Sequence, residues 1–230
     1  MRRHSRCSRR GRDDGAGTGR SKAAAPRAVR RGGNSALTAH ARRRPLLWLV
    51  LALPALWIAW RWLATPDAYG FGHAIGDSGD WAAWLLLATL AVTPVRLAFR
   101  KSSIAVWAIR RRRDLGVASA LYAAGHTLIY LVDKGAAELV LTEAAGADML
   151  TGWLALALFI PLAATSNDVS VRALKRGWKR LHRLVYPAAI LVFAHWALAA
   201  FDPTVAYIHI AILALIEGAR IALQWRQSVT

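Results

Sequence analysis

The sequence has one cysteine, Cys7, and few acids: 13 Asp and Glu against 31 Lys and Arg in 230 residues. One cysteine excludes an internal disulfide and any thiolate-held iron–sulfur or zinc site within the chain. No glycine-rich dinucleotide fingerprint follows a strand-like run. The chain also stops shortly after its last apolar run, so a built-in NAD(P)H and flavin reductase module is not expected.

What is present is an unusual pairing of 56% hydrophobic residues with a net charge of +18. The apolar residues come in runs of about 18 or more, enough to cross a hydrocarbon layer about 30 Å thick as helices. The charge lies between the runs. A basic chain also raises nucleic acid as a partner, but here the basic residues bracket apolar spans as membrane topology demands, and no nucleic-acid partner is expected. The fold class predicted is all-α: a polytopic six-helix transmembrane bundle.

Residues 1–44 are rich in Arg, Gly, Ser and Ala without apolar periodicity and are expected to form a disordered basic tail. The transmembrane domain is expected over 45–225, with 226–230 as a short tail. Candidate spans lie at about 46–63, 81–98, 115–132, 149–166, 183–201 and 204–223. The last two flank Asp202-Pro203, and a proline there predicts a tight hairpin rather than one long helix. Counting Lys and Arg sets the orientation. Twenty-nine of the 31 fall in the tail, 96–113, 172–183 and the C-terminal end; only Arg61 and Lys134 fall on the other side. Both termini are therefore expected in the cytoplasm.

Three histidines stand in or at the ends of apolar runs: His126, His182 and His195. An imidazole inside a bilayer is costly and tends to be functional. His126 lies about 16 Å into span three and His195 about 20 Å into span five at 1.5 Å per residue, so the two reach similar depth in the outer half. Spacing alone leaves two readings open: core histidines bonded to neighbouring helices, or the two axial ligands of a heme iron. Tyr122 and Tyr130 flank His126 one turn away, which predicts a polar stripe facing the bundle interior. His182 sits at the inner mouth of span five among Lys179, Arg180 and Arg183. It suits a one-sided ligand, a flavin or quinone contact, or an interfacial residue. His209, in the outer half of span six, is a spare candidate.

The runs LLLATLAVTPVR (85–96), RRRDLGVASALYAAGHTLIY (111–130), TGWLALALFIPLAATS (151–166) and RGWKRLHRLVYPAAILVFAHWAL (176–198) carry a further signal. They resemble the heme-binding membrane subunit of the bacterial periplasmic methionine sulfoxide reductase system, the MsrQ type, within the wider ferric-reductase-like transmembrane group. The resemblance covers roughly residues 45–225. It implies a six-helix inner-membrane protein that binds b-type heme and FMN, with the family's histidines falling on His126, His182 and His195. It also implies electrons taken from quinol or a flavin reductase. Their acceptor would be a separate periplasmic molybdopterin subunit that repairs oxidised methionine, so that this chain is not an enzyme on its own. Two rival classes stand beside it: a ferric-reductase-like cytochrome b with a separate reductase partner, and a non-redox transporter or assembly factor.

Overall fold

A computed structural model describes the backbone of residues 33–229 and the side chains of residues 44–228. The first 32 residues of the expected basic tail lie outside the described residues. Residues Arg43–Thr230 form one compact unit. Among the described residues the secondary structure is entirely helical. Six stretches are long and apolar enough to cross a membrane. They belong to α1 (Gly33–Ala64), α2 (Phe71–Ala98), α3 (Ser103–Lys134), α5 (Ala147–Ala164), α7 (Arg176–Leu181) continuing through a 3₁₀ turn into α8 (Val185–Ala199), and α9 (Thr204–Val229). Two short helices, α4 (Ala137–Glu143) and α6 (Asp168–Leu174), lie between them. The expected fold class is therefore observed, and α9 carries on through most of the 226–230 segment.

Two boundaries differ instructively from the sequence reading. Helix α2 begins at Phe71, well ahead of residue 81, where the predicted span opens; Gly72, Asp77, Ser78 and Asp80 interrupt the apolar run before it. In the fold Ala74 and Ser78 are buried, and the Ser78 hydroxyl bonds back to the Ala74 carbonyl at 2.6 Å, so this segment extends the helix. Helix α3 likewise starts at Ser103, whose neighbour Ser102 caps it, and runs straight through Arg110–Arg113. Arginine is a good helix former, and here the side chains also find partners: Arg112 donates to the Thr89 carbonyl at 3.1 Å and Arg113 pairs with Asp168 at 2.7 Å. The Asp202 hairpin is as expected, with Asp202 accepting from the Thr204 amide at 3.0 Å.

Helix α2 is the hub. Half of its apolar window is buried, 50% against 11–17% for the other spans. It packs on α3, α8 and α9, and α5 packs on α8 and α3. Ala83, Leu86, Leu87 and Leu90 of α2 meet Phe159 and Leu162 of α5 and Ala188 and Phe193 of α8 in the main core. Outward, Leu53, Trp60, Leu63, Leu121, Ile160, Ile190 and Leu215 are exposed. An outward surface of large apolar side chains on every side of the spans suits lipid.

The Tyr122–Tyr130 stripe divides. Each step of four residues drifts about 40° around a helix, so the two rings diverge. Tyr130 turns toward α5 and bonds Glu143 of α4 at 2.9 Å, while Lys134 bonds the same carboxyl at 2.6 Å. Those two bonds hold the Glu143 carboxyl below its ordinary range. Tyr122 turns instead to α1, where Pro54 already weakens the helix. Its hydroxyl accepts from the Ala55 amide at 2.9 Å and donates to the Leu51 carbonyl at 2.7 Å, inserting itself into the α1 ladder. Two interhelical bonds of this kind contribute about 1–2 kcal/mol. Tyr122→Phe should lower resistance to denaturing detergent by that order and accelerate amide exchange at Ala55. Unchanged stability and exchange would show that the inserted hydroxyl holds nothing.

Candidate functional site

The two ends of the bundle differ in charge, and a polar site lies toward each. Toward the end that carries α4 and the Asp202 hairpin, α2, α3, α5 and α8 enclose a cavity of about 470 Å³. That is within the range of about 300–1,000 Å³ usual for cofactor sites. Its wall includes His126 from α3 and His195 from α8. The ring centroids are 6.2 Å apart and the planes stand at 82°. Residues 69 apart in sequence are thus brought to one cavity, with their rings nearly perpendicular, by the placing of α3 and α8 beside α2 and α5.

Each imidazole is fixed in the same way. His126 donates its Nδ1–H to the Ile75 carbonyl of α2 at 2.9 Å, and His195 donates its Nδ1–H to the Asp148 carbonyl of α5 at 2.7 Å. A carbonyl can only accept, so Nδ1 carries a proton, and the uncharged form of each ring then has its lone pair on Nε2. A second interaction sets the ring position. A Cβ on Gly79 of α2 would stand 3.1 Å from His126 Nδ1, and one on Gly152 of α5 would stand 2.9 Å from His195 Nδ1. A Cβ at residue 152 would thus force His195 to shift, and one at residue 79 would press His126 by a few tenths of an ångström.

The two rings line one cavity of cofactor size with Nδ1 already engaged, so His126 and His195 would be the residues to hold a metalloporphyrin there. A backbone carbonyl on the distal nitrogen is the usual partner of a metal-bound imidazole. Sequence reasoning found the two histidines but missed Gly79, Gly152 and the two carbonyls. Gly79 lay ahead of the predicted second span, and Gly152 is one small residue in an apolar run.

His182 lies apart from this pair. It opens the 3₁₀ turn ahead of α8 and lines a second cavity of about 260 Å³ with Arg112, Arg113, Lys179 and Arg183. Its ring stacks on Trp178 at 4.0 Å, and its Nε2 lies 3.0 Å from the Thr165 hydroxyl. That hydroxyl donates to the Pro161 carbonyl at 2.6 Å, so it accepts from His182 Nε2–H. His209 is buried, 3% exposed, against Trp84 and Trp196, with Nδ1 on the Val205 carbonyl of its own helix. It is not part of the cavity wall.

Residues 78–193 match the family described as ferric reductase like transmembrane component. That span takes in Gly79, His126, Gly152 and His182 and stops just short of His195. The chain is similar to protein-methionine-sulfoxide reductase heme-binding subunit MsrQ of Ralstonia nicotianae, 37% identical over 193 residues that cover 80% of this chain and 86% of the relative. The protein of the same name from Polaromonas naphthalenivorans is 32% identical over 199 residues, covering 82% and 88%. That from Xanthomonas campestris pv. campestris strain B100 is 38% identical over 148 residues, covering 63% and 66%. No solved structure matches the chain. With half of its length in that family and relatives of this name matched over most of theirs, the chain belongs to the MsrQ group of the ferric reductase-like transmembrane family.

Proposed function

We propose that this protein is a membrane electron-transfer subunit that holds a b-type heme between His126 and His195. The observation that carries the reading is the matched pair of imidazoles, each with Nδ1 on a backbone carbonyl and Nε2 left for a metal. The relatives' printed name, a heme-binding subunit, supports it. Bound heme supplies a one-electron centre. The chain's own residues hold it, keep water out with the surrounding apolar wall and fix the ligand tautomer. His126→Ala and His195→Ala should each remove or convert the visible spectrum of the purified protein, whereas His209→Ala should leave it largely intact. Full wild-type spectra in both of the first two variants would overturn the assignment.

The proposed orientation places both termini and the basic end in the cytoplasm, in a bacterial inner membrane, by the asymmetry of Lys and Arg. Reporter fusions after Asp67, Asp148 and Asp202 should read periplasmic, and those after Arg113 and Lys175 cytoplasmic. One reversal among the five is enough to discard this orientation.

Electron flow follows from that orientation. The His126–His195 cavity then lies toward the periplasm, and the His182 cavity toward the cytoplasm. The proposed acceptor is a periplasmic molybdopterin methionine sulfoxide reductase, a separate catalytic subunit, docking around residues 64–80, 133–148 and 202. The relatives' name supports this system. The donor would be quinol or a flavin reductase. Arg112, Arg113, Lys179 and Arg183 around the Trp178–His182 stack suit an anionic aromatic group such as FMN. The family also admits a second reading, a ferric-reductase-like cytochrome b with its own separate reductase. Stopped-flow oxidation separates the two. Dithionite-reduced protein, freed of excess dithionite, should reoxidise anaerobically on mixing with the oxidised partner and a methionine sulfoxide substrate. His182→Ala should slow reduction by the donor more than this reoxidation. If the partner leaves the reduced protein unchanged, the ferric-reductase reading takes its place.

A further inference from the structure

The two histidine notches are built from the same short pattern. Residues 74–79 read AIGDSG and residues 147–152 read ADMLTG, both Ala-x-x-x-Ser/Thr-Gly. One lies on α2 beside α3 and the other on α5 beside α8. The bonding repeats atom for atom. Ser78 directs its hydroxyl at the Ala74 carbonyl, 2.6 Å, and the Ile75 carbonyl, 3.0 Å. Thr151 directs its hydroxyl at the Ala147 carbonyl, 3.0 Å, and the Asp148 carbonyl, 2.7 Å. The Ile75 and Asp148 carbonyls are the ones that receive His126 and His195.

A carbonyl oxygen offers two lone pairs. In a helix each of these two oxygens already faces the amide of the glycine four residues on. The imidazole and the hydroxyl therefore compete for what remains. A hydroxyl that draws on the carbonyl weakens the bond from Nδ1–H. A weaker bond leaves the imidazole less basic and less able to stabilise ferric iron. The two sides are unequal. Thr151 sits closest to the histidine's own acceptor, whereas Ser78 sits closest to the neighbouring carbonyl.

We propose that Ala74–Gly79 and Ala147–Gly152 form a duplicated histidine cradle, in which the glycine admits the ring and the Thr151 hydroxyl, with Ser78 to a smaller degree, sets the heme potential. Thr151 and Ser78 are positioning residues: they act on the iron only through His195 and His126. The inference rests on the proposed ligation by those two histidines.

The test is a spectroelectrochemical titration of the full-length, heme-loaded protein in detergent. Thr151→Ala should keep the low-spin spectrum and shift the midpoint potential downward. Ser78→Ala should shift it in the same direction by less. Thr151→Ser, which keeps the hydroxyl, should restore the wild-type potential. Gly152→Ala, whose Cβ would stand 2.9 Å from Nδ1, should convert the spectrum away from low spin, and Gly79→Ala at 3.1 Å should do so less completely. An unchanged or raised potential in Thr151→Ala, or a shift in Ser78→Ala as large as that in Thr151→Ala, overturns the cradle. His195→Ala run alongside keeps the two ideas apart. If it loses or converts the spectrum while Thr151→Ala shifts nothing, the cradle alone is wrong; if it keeps the wild-type spectrum, the ligation is wrong and the cradle falls with it.

Discussion

The structure turns on the cost of an imidazole N–H in a place without water. In hydrocarbon each such donor must find an acceptor within the protein. Side-chain acceptors are scarce in these spans, so the acceptor is a helix carbonyl. A carbonyl on a helix is normally screened by the side chains around it. His126 and His195 reach theirs because Gly79 and Gly152 remove the obstructing Cβ. The close approach of α3 to α2 and of α8 to α5 follows from that need.

The rest of the bundle respects the same rule. Where two spans touch, a side chain commonly reaches across to a backbone group. The Ser119 hydroxyl donates to the Ala82 carbonyl at 2.8 Å, and Arg112 donates to the Thr89 carbonyl at 3.1 Å, so α3 is stitched along α2 on both sides of the core. Tyr122 does the same for α1 beside Pro54, turning a weakness in the α1 ladder into an attachment point. Apolar packing around Leu86, Leu90 and Phe193 then fills what the polar contacts leave. Between helices in lipid it is close packing and such bonds, more than a hydrophobic drive, that select one arrangement.

The two cavities differ because their ends differ. The first is walled mainly by apolar residues and glycine around two imidazoles, a setting that suits the proposed electron-carrying cofactor. The second gathers guanidinium and ammonium groups around a stacked tryptophan and histidine. A single chain thereby holds two chemically distinct sites along the bundle, as the proposed transfer from a donor to a periplasmic acceptor requires.

The sequence by itself determined the class, the six spans, the charge asymmetry and the two histidines, because each is a local or summed property. Apolar run length decides spanning, and an imidazole in such a run is conspicuous. Residues 71–80 fall outside the predicted second span because Gly, Asp and Ser have loop preferences in water, which burial of Ala74 and Ser78 overrides. The diverging directions of Tyr122 and Tyr130 needed the positions of α1 and α4. Only the tertiary structure decided that the His126 and His195 rings meet at 6.2 Å, that His209 turns away into tryptophan, and that Gly79 and Gly152 are where the rings fit. Those are distances between helices far apart in the chain, and periodicity within one helix carries no information about its neighbour.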